Sequence, residues 1–149
     1  MTAEEYLELG LAYIKEKNWE AALNSLRESA KRFSPPAAPP PILFSALGLA
    51  LAMEENKVQE GLNQCRRALE KAPGQPEIYY HFGMVYLKAG KKEKAYSVFK
   101  GGLKINPDHA GMRSHLRKMG IRKKPILSFL PREHAINRFF GRWFVETKK

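Results

Sequence analysis

One pattern of large, glycine, small and proline residues occurs three times in this chain. Each copy has a large residue before glycine, a second large residue three positions later, a small and a large residue four apart, and a closing proline. The copies are Leu9-Gly10, Tyr13, Ala22, Leu26 and Pro35; Leu47-Gly48, Leu51, Gly61, Cys65 and Pro73; and Phe82-Gly83, Tyr86, Ala95, Phe99 and Pro107. The last two closing prolines lie 34 residues apart. Such a period predicts stacked structural repeats.

The three glycines of this pattern predict close packing between helices. Each falls in the middle of a predicted helix, where glycine costs about 1 kcal/mol relative to alanine. That cost is acceptable where a missing side chain lets a second helix approach. We expect the small residues of the pattern to be the partners on that second helix. Leu26, Cys65 and Phe99, which follow those small residues by four positions, are expected to fill the space between helix pairs.

This order of residues resembles the tetratricopeptide repeat (TPR), a helix-turn-helix unit of 34 residues. The resemblance covers about residues 2–107 and implies an all-α, right-handed solenoid of three repeats. Thr2 and Glu5 predict a capping box at the first helix. Asp108 is the predicted N-cap of a short capping helix that ends at Gly120. We therefore divide the chain into a TPR domain with capping helix, residues 1–119, and a basic extension, residues 120–149.

The extension contains a candidate amphipathic helix from Pro131 to about Val145. Its large apolar residues fall at i, i+3, i+4, i+7 and i+8, which is one helical face. They are Ile136, Phe139, Phe140, Trp143 and Phe144, and a basic patch of Arg122, Lys123 and Lys124 precedes them. A stripe of this size must be covered by the repeats, a second copy, a partner or a lipid surface. We expect it to pack on TPR repeats, in the same or another chain.

The net charge of +11 is concentrated in the C-terminal part of the chain. Residues 1–110 contain 15 basic and 13 acidic side chains, whereas residues 111–149 contain 11 basic and 2 acidic ones. This asymmetry indicates a membrane, acidic-protein or nucleic-acid partner, or a solubilising tail. Nucleic-acid binding is not predicted, because no recognisable module is present. Without a signal sequence or an apolar run of 18 residues, and with a single cysteine, we expect a cytoplasmic protein. Peripheral association with the inner membrane is the alternative.

Catalysis is not predicted, and neither is a metal or a cofactor. The four histidines include no pair at the i, i+4 spacing of a helical metal site, and no His/Cys cluster occurs. We expect His81 to lie on a helix surface and Cys65 to be a buried structural thiol. Asp108 needs no role beyond capping. The sequence therefore favours a binding protein over an enzyme.

The resemblance also implies a site, because the first helices of TPR hairpins line a concave groove. The matching positions are Leu7, Leu11, Ile14, Ile42, Ser45, Leu49, Met53, Glu77, Tyr80, Met84, Leu87 and Lys88. This mostly apolar set suits an amphipathic helix or an apolar peptide, unless some of its members belong to the core. One TPR class holds a peptide's C-terminal carboxylate with Lys, Asn and Arg, where this chain has Leu7, Leu11 and Ser45. The resemblance thus implies a non-catalytic scaffold or adaptor of another kind. The alternative is an adaptor held at a membrane by its C-terminal helix.

Overall fold

A computed structural model describes residues 1–120 of the chain, and within this range it contains seven α-helices and no β-strand. The helices are α1 (Ala3–Lys15), α2 (Trp19–Arg32), α3 (Pro41–Glu54), α4 (Val58–Lys71), α5 (Pro76–Lys88), α6 (Lys92–Ile105) and α7 (Ala110–Met119). Helices α1 and α2, α3 and α4, and α5 and α6 form three hairpins, and α7 packs on α6. The predicted all-α array of three repeats and a capping helix is confirmed.

The helix starts and turns follow from local sequence. The Thr2 hydroxyl accepts a hydrogen bond from the Glu5 amide at 3.1 Å, and the Glu5 carboxylate accepts one from the Thr2 amide at 2.7 Å. This is the predicted capping box. Each hairpin turn contains one residue with a left-handed backbone, at φ of 58° for Lys17, 54° for Asn56 and 74° for Gly90. Glycine adopts this conformation without strain, so the third turn is the least strained of the three.

The repeat glycines bring the two helices of each hairpin into direct contact. A Cβ atom added to Gly10 would lie 2.6 Å from Leu26, and one added to Gly83 would lie 2.2 Å from the Phe99 ring. On Gly48 it would lie 2.6 Å from the Gly61 carbonyl oxygen. The predicted close approach is therefore confirmed. In the first and third hairpins, the large residue of α2 or α6 occupies the space that the glycine leaves open.

Helix α3 is the central element of the array. It packs against α1, α2, α4 and α5, and its apolar residues surround the helix on all sides. Its buried residues are Leu43, Ser45, Ala46, Gly48, Leu49, Ala50, Leu51 and Ala52. Neither α3 nor any other helix within residues 1–120 is long and apolar enough to cross a bilayer.

The start of α7 differs from the prediction. The helix begins at Ala110, and the Nδ1 atom of His109 accepts a hydrogen bond from the Met112 amide at 3.2 Å. His109 therefore caps α7, and the prediction for Asp108 is wrong. The Asn106 side chain accepts a hydrogen bond from the Asp108 amide at 3.1 Å. This local turn holds Asp108 one residue before the cap position.

Candidate functional site

The first helices of the three hairpins and the start of α7 enclose a concave cavity of about 540 Å³. Six residues of the predicted groove line it: Leu11, Ile14, Leu49, Glu77, Tyr80 and Met84. Leu49 is fully buried and forms part of the floor, whereas Leu11, Tyr80 and Met84 are partly exposed. The cavity is therefore mostly apolar, and partly exposed side chains surround a buried floor.

The other predicted groove residues lie away from this cavity. Leu7 and Ser45 are buried in the core, at 8% and 0% exposure. Ile42, Met53 and Leu87 are partly buried and do not line the cavity, and Lys88 is exposed. Ser45 faces the third hairpin, because its hydroxyl lies 2.9 Å from the His81 ring. Stacking of one hairpin on the next thus turns part of the first-helix surface into core.

Five further residues with polar or aromatic side chains line the cavity and were not predicted to do so: Lys15, Lys17, Trp19, His81 and His109. The prediction that His81 lies on the helix surface is wrong, since only 1% of it is exposed. Helix α3 covers it, and its Nδ1 atom lies 2.9 Å from the hydroxyl oxygen of Ser45. Glu77 and His81 are spaced i, i+4 on one helix, which was the available sequence signal for this polar cluster.

Three side chains form the polar end of the cavity, namely Glu77, His81 and His109. Oxygen Oε2 of Glu77 lies 2.9 Å from Nε2 of His109. Oxygen Oε1 lies 3.8 Å from Nε2 of His81, which is too far for a hydrogen bond. Nitrogen Nε2 of His81 is buried and has no hydrogen-bond partner. The polar end therefore contains one satisfied histidine and one unsatisfied histidine.

Burial shifts the pKa of two side chains that line the cavity, His81 and Tyr80. It lowers the pKa of His81 to about 4, against an opposing effect of the Glu77 carboxylate, so this imidazole is neutral at neutral pH. Burial, followed by the negative charge of Glu77, raises the pKa of Tyr80. Because Nδ1 of His109 accepts a hydrogen bond from the Met112 amide, Nδ1 carries no hydrogen, and Nε2 is the nitrogen that donates to Glu77.

This arrangement does not suit a metal ion. His109 uses one ring nitrogen as acceptor and the other as donor, which leaves no lone pair on this residue for a metal. Across residues 1–120, no group of three or more His, Cys, Asp or Glu residues is arranged to hold one. Cys65 is buried, as predicted, and its burial raises the pKa of the thiol.

The predicted apolar stripe and basic patch of the extension lie outside the described residues. The stripe is Ile136, Phe139, Phe140, Trp143 and Phe144, and the patch is Arg122, Lys123 and Lys124. Their packing on TPR repeats, self-association through them and membrane attachment stay predictions from sequence.

A tetratricopeptide repeat family model matches residues 52–118 of the chain. The match covers the second half of the three-hairpin array, and the three stacked hairpins with a capping helix have the tetratricopeptide repeat fold. No curated protein matches it in sequence.

Solved TPR structures share the fold at low sequence identity. The Arabidopsis OM64 TPR domain is 19% identical, with a TM-score of 0.60, over 79% of this chain and 93% of that domain. The first TPR of Spaghetti (RPAP3), bound to the HSP90 peptide SRMEEVD, is 20% identical, with a TM-score of 0.60. The match covers 79% of this chain and 92% of that one. The TPR2B domain of yeast Sti1, in complex with pHsp70, is 21% identical, with a TM-score of 0.58. The match covers 78% of this chain and 94% of that one.

Proposed function

We propose that this chain is a non-catalytic protein-interaction module that binds a segment of a partner protein in the cavity between α1, α3, α5 and α7. The observation that carries this proposal is the cavity itself, at about 540 Å³ with mostly apolar walls. Concave apolar surfaces with a few converging polar groups are the usual form of a binding site. The peptide complexes of the structurally similar TPR domains support the same use of the fold.

The wall residues indicate what kind of segment fits. Leu11, Tyr80 and Met84 are partly exposed around the buried floor at Leu49. Methionine adapts its shape to different partners, and tyrosine offers contact area with little loss of entropy. An amphipathic helix or an extended peptide with one or two large apolar side chains would bury these walls.

The groove chemistry argues against capture of a C-terminal carboxylate. Two of the three positions that correspond to such a clamp, Leu7 and Ser45, are buried in the core. The third, Leu11, presents an apolar side chain to the cavity. Since none of them offers a positive charge, we propose that the partner is held through internal residues of a segment rather than through its chain end.

Selection of peptides from a display library with the full-length chain, followed by titration of one synthetic peptide, tests this function. Met84→Glu should weaken binding by more than tenfold, because the peptide would bury an unpaired charge. Leu87→Glu is the matched control, since Leu87 lies on the same helix, is partly buried and does not line the cavity. Helical circular dichroism should stay unchanged in both variants. Equal losses of affinity in the two variants would contradict the proposed groove.

A further inference from the structure

The polar end of the cavity contains a buried nitrogen that lacks a hydrogen bond. His81 is 1% exposed, its Nε2 atom has no partner, and the ring lines the cavity. Buried polar side-chain atoms in folded proteins nearly always have a partner, so such an exception requires an explanation. A ligand in the cavity would supply the missing partner.

The surrounding hydrogen bonds assign the chemical character of this nitrogen. The Ile42 carbonyl can only accept, so the single hydroxyl hydrogen of Ser45 is donated to it at 3.0 Å. The Nδ1–H group of His81 then donates to the Ser45 oxygen at 2.9 Å. In this neutral tautomer Nε2 has a free lone pair and no hydrogen. The missing partner is therefore a hydrogen-bond donor.

The neighbouring carboxylate narrows the choice of donor. Oxygen Oε1 of Glu77 lies 3.8 Å from this nitrogen, so two acceptors lie close together at this end of the cavity. A single nitrogen with two hydrogens can reach both atoms at about 2.9 Å, which a one-hydrogen donor such as an indole cannot do. Guanidinium, ammonium and amide groups qualify. The negative charge of Glu77 favours the cations, because charge-assisted hydrogen bonds are about twice as strong as neutral ones.

The remaining charges and rings near the site fit a guanidinium best. Lys15 and Lys17 also line the cavity, but both are exposed and solvated, and Glu77 is the one carboxylate among the lining residues of the described chain. The Tyr80 ring is partly exposed beside His109, with ring centroids 5.2 Å apart. Guanidinium groups are weakly hydrated and stack on aromatic rings, whereas ammonium groups hold water more strongly.

We propose that Glu77 and His81 form a specificity subsite that binds an arginine side chain of the partner segment. This inference rests on the proposed function and names the side chain that the groove would select. His109 is a positioning residue, because its Nε2–H group holds the second oxygen of Glu77 at 2.9 Å. The apolar walls would hold the residues beside the arginine.

Three matched probes test the subsite by nuclear magnetic resonance titration of the full-length protein. They are the Nα-benzoyl amides of L-arginine, L-citrulline and L-norleucine. Citrulline keeps the terminal NH₂ group and the shape but lacks the charge, and norleucine lacks the donor as well. The arginine probe should bind about tenfold tighter than the citrulline probe and bind tighter still than the norleucine probe. Long-range nitrogen-15 spectra should show Nε2 of His81 unprotonated and shifted on binding.

Glu77→Gln separates charge from structure, because glutamine can still accept the hydrogen bond from His109. This variant should bind the arginine probe about tenfold more weakly and the citrulline probe with little change. Glu70→Gln is the control, since Glu70 is exposed on α4 and does not line the cavity. It removes the same charge and should leave both affinities unchanged.

Distinct results would overturn the subsite. Equal binding of the three probes, a protonated Nε2 on His81, or no shift at the cavity with any probe would each contradict it. Equal binding of arginine and citrulline probes would contradict the cationic assignment. None of these results decides the proposed function, because the peptide selection and the Met84→Glu variant test that function independently.

Discussion

Replacement of Gly83 by alanine tests the packing of the third hairpin. The new Cβ atom would lie 2.2 Å from Cε1 of Phe99 and 2.6 Å from two further atoms of that ring. Real Cβ atoms do not approach neighbours this closely, so the ring or one helix must move. The Phe99 ring has little freedom to do so. It is fully buried and stacks on the His115 ring, with ring centroids 5.5 Å apart. The centroid of the Tyr80 ring lies 6.3 Å from the centroid of the Phe99 ring.

Two opposing effects set the size of the change. Alanine in place of a helical glycine stabilises a helix by about 1 kcal/mol. Overpacking of a buried site costs about 1–3 kcal/mol, and a contact this short against a rigid ring belongs at the upper end. We therefore expect Gly83→Ala to lower the free energy of unfolding by about 2 kcal/mol. The effect should fall on stability alone, because Gly83 does not line the cavity.

Urea unfolding followed by circular dichroism measures this change. The control is Gly74→Ala, in the loop before α5, where an added Cβ meets no atom within 4 Å. This variant should be neutral or more stable by about 0.5 kcal/mol. The double variant Gly83→Ala with Phe99→Leu should show positive coupling, since the smaller side chain relieves the clash. A Gly83→Ala protein that is about 1 kcal/mol more stable than the parent would refute the packing argument.

Three more predictions follow from buried or capping groups. Burial lowers the pKa of His81 from 6.5 to about 4, so the unfolded chain binds a proton first as the pH falls. The free energy of unfolding should therefore decrease by about 3 kcal/mol from pH 6.5 to pH 4, and His115, whose pKa is also lowered by burial, acts in the same direction. A urea midpoint that stays constant from pH 7 to pH 5 would contradict this prediction. The Cys65 thiol, with its pKa raised by burial, should resist Ellman's reagent in the native protein and react on unfolding. Thr2→Ala should lower the free energy of unfolding by about 1 kcal/mol through loss of the capping box, and an unchanged urea midpoint would contradict this.

The sequence predicts the helices well because their signals are local. The capping box at Thr2, the prolines that open α3 and α5, and the glycine-to-proline pattern act within one hairpin. The bounds of the repeats follow from these signals.

The polar end of the cavity could not be predicted, because its contacts join distant residues. His81 is paired with Ser45 across 36 positions, and His109 with Glu77 across 32. Their geometry depends on the angle at which one hairpin packs on the next, and a repeat pattern does not encode that angle. For the same reason, the sequence alone could not distinguish Leu11 and Met84, which line the cavity, from Leu7 and Ser45, which belong to the core.

The position of α3 has a consequence for how the array can change in evolution. Repeat arrays commonly gain and lose units, because each unit contacts its neighbours through similar surfaces. Here the first helix of the middle hairpin is buried by four other helices, including α1, which belongs to another repeat. Deletion of this hairpin would remove the helix against which both outer hairpins pack. Growth of the array is therefore easiest at its ends, and the middle repeat is the part least free to be exchanged.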